Sequence, residues 1–330
     1  MIVSIILLEH PMSRQLLPLS LSRRHLLLGA VAAGVALAMP AYAQEAREVE
    51  HALGKAIITK KPTRVLVLSD FTDLEYVLAL GVTPVGYGFT GSWGRGGLPW
   101  QSAAADVPQL PLVDTVASPE VVAGFEPDLI IGMKTYIERV QSQLEGIAPV
   151  IALDWSTPWR NGLRLVASAL FEDERVEAAI AETEALMADT ARSLDGLGGK
   201  KIMVGSMYGE TLYVIGAGPM ATQFAELGLT FVPAPNASDS GLAEYSMENV
   251  DILQQADILM SFTNDAEGTE RLETFAPFQR LPAVAGNAYI PLGTLTGTAF
   301  ADNFSPLSAK WVLPRLAALL TDAAAGKAAR

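Results

Sequence analysis

Short apolar runs alternate with amphipathic segments along most of the chain. Runs such as Val65–Leu68 and Val150–Leu153 have the length of buried strands. The segments between them carry apolar residues at helical spacing, and glycines such as Gly81 follow their ends. This alternation predicts an α/β fold of two similar lobes, each with a mainly parallel sheet flanked by helices, joined by one long helix.

The same pattern gives approximate bounds for the elements of each half. Those predicted in the first half are strands Val65–Leu68, Val85–Tyr87, Leu129–Gly132 and Val150–Leu153, and helices Asp70–Leu80, Ser118–Ala123 and Tyr136–Leu144. Those predicted in the second half are strands Lys201–Ser206, Leu212–Ile215, Ile258–Phe262 and Ala288–Pro291, and helices Met220–Leu227, Ser246–Gln254 and Ser305–Leu320.

The two halves also resemble each other in amino-acid sequence. Leu80–Val85 parallels Leu227–Val232, and Ser118–Val122 parallels Ser246–Val250. Two matches in the same order make coincidence improbable, and an internal repeat at this separation indicates two lobes of one design.

A long helix is predicted between the halves. Asp173–Leu194 is rich in Ala and Glu and lacks Gly and Pro. At this length it would span roughly 33 Å, enough to run from one lobe to the other. The resulting domain prediction is a signal peptide (1–43), an N-terminal segment (44–61), an N-terminal lobe (62–172), a connecting helix (173–195) and a C-terminal lobe (196–330).

The first segment has the pattern of an export signal. Arg23 and Arg24 precede the apolar run Leu26–Ala38, which is shorter than the about 20 residues that span a bilayer. The run is followed by Ala41-Tyr42-Ala43, the small-x-small pattern of a cleavage site. The paired arginines favour the twin-arginine route, with a general secretory signal as the alternative. A soluble protein in the periplasm is expected.

Composition narrows the chemistry. The chain has no Cys, which excludes disulfides, thiolate metal sites and a Cys nucleophile. Its net charge of −13, which becomes −15 when residues 1–43 are removed, argues against a nucleic-acid partner. His51 is the one histidine beyond residue 43, so a Ser-His-Asp triad and a multi-His metal site are not expected. No G-x-S-x-G, P-loop or paired-His motif favours an enzyme.

Several ordered segments resemble the periplasmic substrate-binding proteins of ABC transporters for iron–siderophore complexes, a group that includes cobalamin and haem binders. The resemblance covers about residues 60 to 320 and rests on Lys61–Leu68, Leu78–Gly86, Ser118–Ile131 and Phe278–Val284 with Ala288-Tyr289. Phe278 stands where that pattern usually has Trp. The resemblance implies a ligand in the cleft between two α/β lobes, an iron(III) chelate as that ligand, and delivery to a membrane permease.

Candidate ligand contacts follow from strand ends, because ligands of open α/β sheets bind beyond the carboxyl ends of the strands. Aromatic rings there would offer flat contact area to the organic shell of a chelate, and guanidinium groups would satisfy anionic oxygens. The predicted ligand-binding residues are Trp93, Arg95, Trp100, Tyr136, Trp155, Trp159, Arg160, Tyr208 and Tyr245, with no direct metal ligand and no resident cofactor. Trp311, in the last helix, is interpreted as core.

Glu120 and Glu248 are predicted docking residues. Each comes two residues after a Ser that is expected to cap a helix, and the repeat places one on each lobe. The resemblance implies that they pair with arginines of the permease, one per lobe. The leading hypothesis is therefore a monomeric binding protein for an iron(III) chelate. The alternatives are a haem or corrinoid binder of the same transport class, or an exported α/β enzyme without a recognisable motif.

Overall fold

The computed structural model describes residues 46–90, 98–112, 116–238, 241–262, 265–302 and 304–327. The predicted signal peptide, together with Trp93 and Arg95, lies outside these residues. Within the described ranges, no helix is both long enough and apolar enough to cross a membrane.

An antiparallel hairpin that the sequence analysis missed precedes the first lobe. It consists of β1 (Arg47–His51) and β2 (Gly54–Ile58), in which buried residues alternate with exposed ones. His51 ties it to the lobe, because its Nδ1 accepts the N–H groups of Leu53 and Ala152 at 3.3 and 3.4 Å. Burial lowers the pKa of His51, which keeps Nδ1 free to accept both bonds.

The N-terminal sheet is parallel throughout, with strand order β5-β4-β3-β6-β7. Its strands are β3 (Val65–Val67), β4 (Gly86–Gly88), β5 (Gln109–Leu110), β6 (Leu129–Met133) and β7 (Val150–Leu153). The first strand of the lobe lies at the centre of the sheet and the chain winds outward in both directions, which is the doubly wound arrangement. The prediction of a parallel sheet is confirmed for this lobe.

Helices connect these strands, and a 3-10 helix spans Pro99–Ala104. The helices are α1 (Thr72–Ala79), α2 (Pro119–Gly124), α3 (Lys134–Ile137), α4 (Gln141–Glu145) and α5 (Trp159–Leu170). The prediction of one helix over Tyr136–Leu144 is wrong: the chain leaves helical geometry at Val140, where φ is −125°. Ile137 and Leu144 are nevertheless both buried, as their periodicity requires.

The connecting helix is confirmed as α6 (Asp173–Ser193), with Val176, Ile180 and Met187 on its buried face. Its 21 residues give a length of about 32 Å. Asp173 and Glu174 lie in its first turn, where negative charge favours the helix dipole.

The C-terminal sheet is mixed, which the sequence analysis did not predict. Its strands are β8 (Lys201–Tyr208), β9 (Thr211–Ile215), β10 (Thr230–Phe231), β11 (Leu242–Ser246), β12 (Ile258–Phe262) and β13 (Tyr289–Leu292). The first half of β8 pairs in parallel with β10 and β12. Its second half forms an antiparallel hairpin with β9, which then pairs with β11.

The helices of this lobe flank the parallel part of the sheet. They are α7 (Pro219–Glu226), α8 (Ala266–Thr274), α9 (Ala276–Gln279), α10 (Pro282–Ala285), α11 (Thr294–Gly297) and the closing helix α12 (Pro306–Ala324), with 3-10 turns at Asp195–Leu197 and Met247–Gln255 and a π turn at Thr298–Asp302.

The internal repeat of the sequence corresponds to equivalent hydrogen bonds and turns in the two lobes. In the first half, Asp128 accepts the N–H of Arg64 at 2.7 Å and donates its own N–H to the Arg64 carbonyl at 2.9 Å. In the second half, Asp257 makes the same two bonds with Lys201, both at 2.8 Å. The loops after α1 and α7 each turn at a glycine with φ of 75°, Gly81 and Gly228, a left-handed conformation that favours glycine.

The two lobes share one continuous apolar core. Buried residues of β3 and β6, of α6 and of β8 and β12 belong to the same packed cluster, while a second cluster covers the other face of the N-terminal sheet. Helix α12 packs along α6 and also reaches α1. Trp311 lies against Trp100 with ring centroids 5.0 Å apart, in agreement with its interpretation as a packing residue.

A buried carboxyl group anchors this junction. Glu75, on α1, is fully buried and accepts hydrogen bonds from Trp100 Nε1 at 2.5 Å and Gln101 Nε2 at 3.1 Å. It also accepts a hydrogen bond from the hydroxyl of Ser305, the residue that caps α12. Burial raises the pKa of Glu75 to about 8, against the hydrogen bonds that lower it. One side chain thus joins α1, the 3-10 helix and the start of α12.

We predict that Glu75 makes stability depend on pH. Because the pKa of Glu75 is raised in the folded state, its contribution is fully present below the unfolded value of about 4.3 and is lost as pH rises through about 8. Urea unfolding between pH 5 and pH 9 should show the free energy of unfolding falling with pH. The variant Glu75→Gln should show a shallower fall, and an identical slope would contradict this role. His51→Asn is the control, because its pKa shift acts in the opposite direction and at lower pH.

Candidate functional site

Polar and aromatic side chains gather at the carboxyl edge of the N-terminal sheet. Asp70 follows β3, Thr90 follows β4, Tyr136 follows β6, and Asp154 and Trp155 follow β7. Asp70 and Thr90 are in contact, with the Thr90 hydroxyl donating to Asp70 Oδ1 at 2.7 Å. Because parallel strands end at one edge of their sheet, residues distant in sequence converge here.

Three aromatic rings form the centre of this edge. Phe71 meets Trp155 edge-on at 5.0 Å between ring centroids and Tyr136 at 6.0 Å. Trp155 remains 40% exposed, so its ring offers contact area to a ligand. Burial, and then the carboxylates of Asp73 and Asp70, raise the pKa of Tyr136 to about 12. Its hydroxyl therefore stays protonated at neutral pH.

A pair of opposite charges lies beside the rings. Asp154 accepts hydrogen bonds from the hydroxyl and N–H of Ser156 at 2.6 and 2.9 Å, and Lys134 Nζ lies 3.7 Å from its Oδ2. The Ser156 bonds and then Lys134 lower the pKa of Asp154. Lys134 is 39% exposed, so it also offers positive charge to solvent or to a ligand. In the described ranges, no cluster of three or more His, Asp or Glu could hold a metal ion.

A cavity of about 40 Å³ lies between the lobes. It holds roughly two or three water molecules and is too small for a whole metal chelate. Its walls are Thr72, Tyr76, Leu153, Asp154, Trp155, Thr157, Trp159 and Gly162 from the N-terminal lobe, and Pro219, Gln223 and Phe304 from the C-terminal side. Glycine is needed at position 162, because a Cβ there would lie 2.8 Å from Tyr76 Cε2.

Trp159 and Gln223 are wall residues of this cavity that come from different lobes. Both residues are 4% exposed. Among the described residues, Trp159 Nε1 and Gln223 Oε1 find no hydrogen-bond partner. Such atoms are uncommon in folded proteins, because a buried polar group without a partner costs about 1–3 kcal/mol.

The expected position of Trp100 in an open cleft loop is wrong. Trp100 lies inside the 3-10 helix, is 9% exposed and packs against Trp311. Its indole N–H is used by Glu75. The ring therefore belongs to the junction between the lobe and α12, because a buried carboxyl group 25 residues away in sequence holds it there.

Arg160 differs from the expected free cation because its guanidinium group is already paired. It binds both carboxylate oxygens of Glu226 at 3.0 and 3.2 Å and Glu184 at 2.6 Å. Its Cζ also lies 4.5 Å from the centre of the Trp159 ring. These contacts join α5 of the N-terminal lobe to the connecting helix and to α7 of the C-terminal lobe. We name the Arg160–Glu226–Glu184 contacts the interlobe latch.

The remaining predicted contacts are spread over the C-terminal lobe and the undescribed segment. Tyr208 is 62% exposed at the end of β8, and the Tyr245 hydroxyl donates to the Pro235 carbonyl at 2.8 Å. Trp93 and Arg95 lie outside the described residues. The structure thus brings together Tyr136, Trp155 and Trp159, and the ligand-binding role of each predicted residue stays a prediction.

Sequence analysis missed three residues of the site: Phe71, Lys134 and Gln223. The rule of strand ends could have predicted Lys134, because Lys134 is the first residue after β6. Trp155, which was predicted by that rule, is the second residue after β7. Gln223 gave no signal, because it sits in mid-helix on α7 and meets the cavity only through the packing of the two lobes.

The chain forms two α/β lobes with aromatic and polar side chains at the carboxyl edge of the first sheet, and comparison with known proteins identifies the family. Residues 74–292 match the periplasmic binding protein family, to which the chain belongs. It is 34% identical over 164 residues to the probable siderophore-binding lipoprotein YfiY of Bacillus subtilis, a match covering 48% of this chain and 49% of that protein. The chain thus spans about half the length of the curated relatives it matches.

Solved structures of similar fold include two proteins crystallised with a bound small molecule. PiaA of Streptococcus pneumoniae in complex with ferrichrome superimposes with a TM-score of 0.71 at 24% identity, over 84% of this chain and 99% of that chain. SirA of Staphylococcus aureus with staphyloferrin B gives a TM-score of 0.68 at 20% identity, over 82% and 97%. At these identities the comparison establishes the two-lobe fold.

We predict that the interlobe latch stabilises the fold more than an ordinary surface ion pair. Arg160→Ala should lower the free energy of unfolding by about 1–2 kcal/mol, because it removes two ion pairs and a cation–ring contact. Arg164→Ala is the matched control: Arg164 lies on the same helix and pairs with the exposed Glu177 of α6, so its loss should lower the free energy of unfolding clearly less than the loss of Arg160, because water screens an exposed ion pair. Equal effects in urea unfolding would contradict a special role for the latch.

Proposed function

We propose that the protein binds an iron(III) chelate of the siderophore type between its lobes and delivers it to an ABC importer. The observation that carries the proposal is the exposed ring of Trp155 at the carboxyl edge of the N-terminal sheet, where it packs against buried Phe71 beside half-buried Tyr136. Such rings suit the organic shell of a chelate. Membership of the periplasmic binding protein family supports the proposal, as does a relative named as siderophore-binding.

The charged residues beside the aromatic rings indicate which net charge of chelate the site would favour. Arg160 is held by two carboxylates, so Lys134 is the cation that the described residues place beside the aromatic surface. Asp154 lies next to it. This mixed pair gives little preference for a strongly anionic chelate, whereas a chelate of low net charge would meet no repulsion. Arg95 remains a predicted anion contact in the undescribed segment.

We predict that Trp155 reports and strengthens chelate binding. A panel of ferrichrome, ferric staphyloferrin B and a ferric tris-catecholate should include at least one chelate that quenches tryptophan emission at micromolar concentration. Trp155→Leu should weaken that chelate about tenfold, because it removes an aromatic contact of about 1–1.5 kcal/mol. Ile57→Ala is the control, since Ile57 is an exposed apolar side chain on β2 and does not line the cavity. Failure of every chelate in the panel to bind the unaltered protein would count against the proposed function.

The proposed function also requires export of the protein and docking onto the permease. We propose that residues 1–43 are a cleaved twin-arginine signal, which would place the mature protein in the periplasm. Glu120 and Glu248 are both exposed in first helical turns that are capped by Ser118 and Ser246. Their equivalence in the repeat supports their proposed pairing with one permease arginine per lobe.

We predict that the two docking glutamates act in transport and leave ligand binding intact. The double variant Glu120→Ala/Glu248→Ala should bind the chelate within about twofold of the unaltered protein, because exposed charges are screened beyond about 8 Å. Uptake of ⁵⁵Fe-chelate by cells should fall sharply, because interfacial charge pairs set orientation and association rate. The matched control is Glu174→Ala/Glu267→Ala, which removes two other exposed first-turn carboxylates. Normal uptake by the docking variant would remove the assignment, and lost chelate binding would place the glutamates in the site.

A further inference from the structure

Each lobe presents one exposed aromatic side chain at the carboxyl edge of its sheet. Among the described residues, the exposed large apolar side chains are Ile57 at 62%, Trp155 at 40% and Tyr208 at 62%. Ile57 belongs to the N-terminal hairpin, whereas Trp155 follows β7 at the carboxyl edge of the N-terminal sheet. Tyr208 ends β8, which pairs in parallel with β12 up to Val204 and then continues as a hairpin with β9. Tyr208 therefore lies beyond the carboxyl end of the parallel pairing, where ligands of such sheets bind.

Side chains of α8 hold the turn that follows Tyr208. The N–H of Gly209 donates to Asp265 Oδ2 at 2.8 Å, and Arg271 Nη1 donates to the Gly209 carbonyl at 2.8 Å. Both polar backbone atoms of this turn residue are thus bonded to one helix, because Asp265 is the N-cap of α8 and Arg271 lies in its last turn. We name the contacts of Asp265 and Arg271 with Gly209 the turn clamp.

The two carboxylate oxygens of Asp265 serve different partners. Oδ1 accepts the N–H of Gly268 at 2.9 Å and so caps α8, while Oδ2 holds Gly209. These two bonds lower the pKa of Asp265, so the group is an ionised carboxylate with both oxygens free of protons at neutral pH. Helix α8 lies close to β8 here, since a Cβ at Gly268 would come 3.0 Å from the Met207 carbonyl oxygen.

A clamped turn gives an exposed ring a functional advantage. Binding a ligand costs free energy wherever it immobilises a side chain or a loop, and a turn that is already held does not incur that cost again. Tyrosine suits such a position because it supplies a large contact area with few rotatable bonds. The turn clamp thus prepares the ring of Tyr208 for contact with a binding partner.

We propose that Asp265 and Arg271 are positioning residues that hold Tyr208 as the aromatic contact of the C-terminal lobe with the bound chelate. This inference rests on the proposed function and deepens it, because the organic shell of the chelate then meets Trp155 from one lobe and Tyr208 from the other. Neither positioning residue touches the chelate; both act through the ring of Tyr208.

Titration calorimetry with the chelate of the panel that the unaltered protein binds most tightly tests this role. Tyr208→Ala should weaken binding about fivefold, the scale of one aromatic contact. Arg271→Met removes the donor to Gly209 and should weaken binding about threefold, because the turn must then be ordered on binding. Arg271→Lys keeps a cationic donor and should restore the affinity. Asp265→Asn should also weaken binding, since its single carboxamide oxygen cannot accept both N–H groups.

A variant cycle separates positioning from a merely structural role. In a Tyr208→Ala background, Arg271→Met and Asp265→Asn should no longer change the affinity, because the side chain through which they act is gone. Losses that stay the same with and without Tyr208 would overturn the proposal, as would an unchanged affinity of Arg271→Met in the protein that keeps Tyr208.

Arg64→Met is the matched control. It removes guanidinium bonds to the backbone carbonyls of Glu126 and Phe125, and Arg64 precedes β3 at the opposite edge of the N-terminal sheet. Its affinity for the chelate should equal that of the unaltered protein, and an equal loss in Arg64→Met and Arg271→Met would overturn the positioning role. If the unaltered protein binds no chelate of the panel, the proposed function itself fails, and that outcome is distinct from these.

Discussion

The fold depends on a carboxyl group that water does not reach. Glu75 collects hydrogen bonds from the 3-10 helix through Trp100 and Gln101, and from the cap of α12 through Ser305. These segments are more than 200 residues apart at the extremes, and no sheet joins them. Burying an acid is costly, but without it the indole N–H of Trp100 would be buried and would lose the one hydrogen bond that the structure gives it. Glu75 thereby ties the start of α12 to the N-terminal lobe, while the buried apolar residues of α12 complete the core that the two lobes share.

The parts of the fold that could be predicted are those in which local pattern and tertiary packing agree. The strands Val150–Leu153 and Ile258–Phe262 were predicted with the observed bounds, and the connecting helix ends within one residue of its prediction. The hairpin before residue 60 was missed because its charged residues, Arg47, Glu48, Glu50 and Lys55, resemble a solvated segment. The antiparallel part of the C-terminal sheet was missed although Gly209 and Glu210 form a turn between two apolar strands.

The sequence predicted only those parts of the candidate site whose residues directly follow a strand. That rule placed Tyr136 and Trp155 correctly at one edge, because the carboxyl ends of parallel strands converge. It did not reveal the partners of Trp100 and Arg160, which are set by tertiary packing that no local pattern shows. Glu226 lies 66 residues from Arg160 and meets it only because the lobes pack together. The carboxylate partners of Arg160 are therefore a tertiary feature, and its contact with a ligand stays a prediction.

The position of α12 has a consequence for how the chain is made. This helix covers the N-terminal lobe at α1 and at Trp100, yet it is encoded after nearly all of the C-terminal lobe. During synthesis, the first lobe therefore emerges with Trp100 and Glu75 still lacking their partners Trp311 and Ser305. Vectorial, lobe-by-lobe folding on the ribosome cannot reach the native state, and completion must wait until residues 305–324 are released.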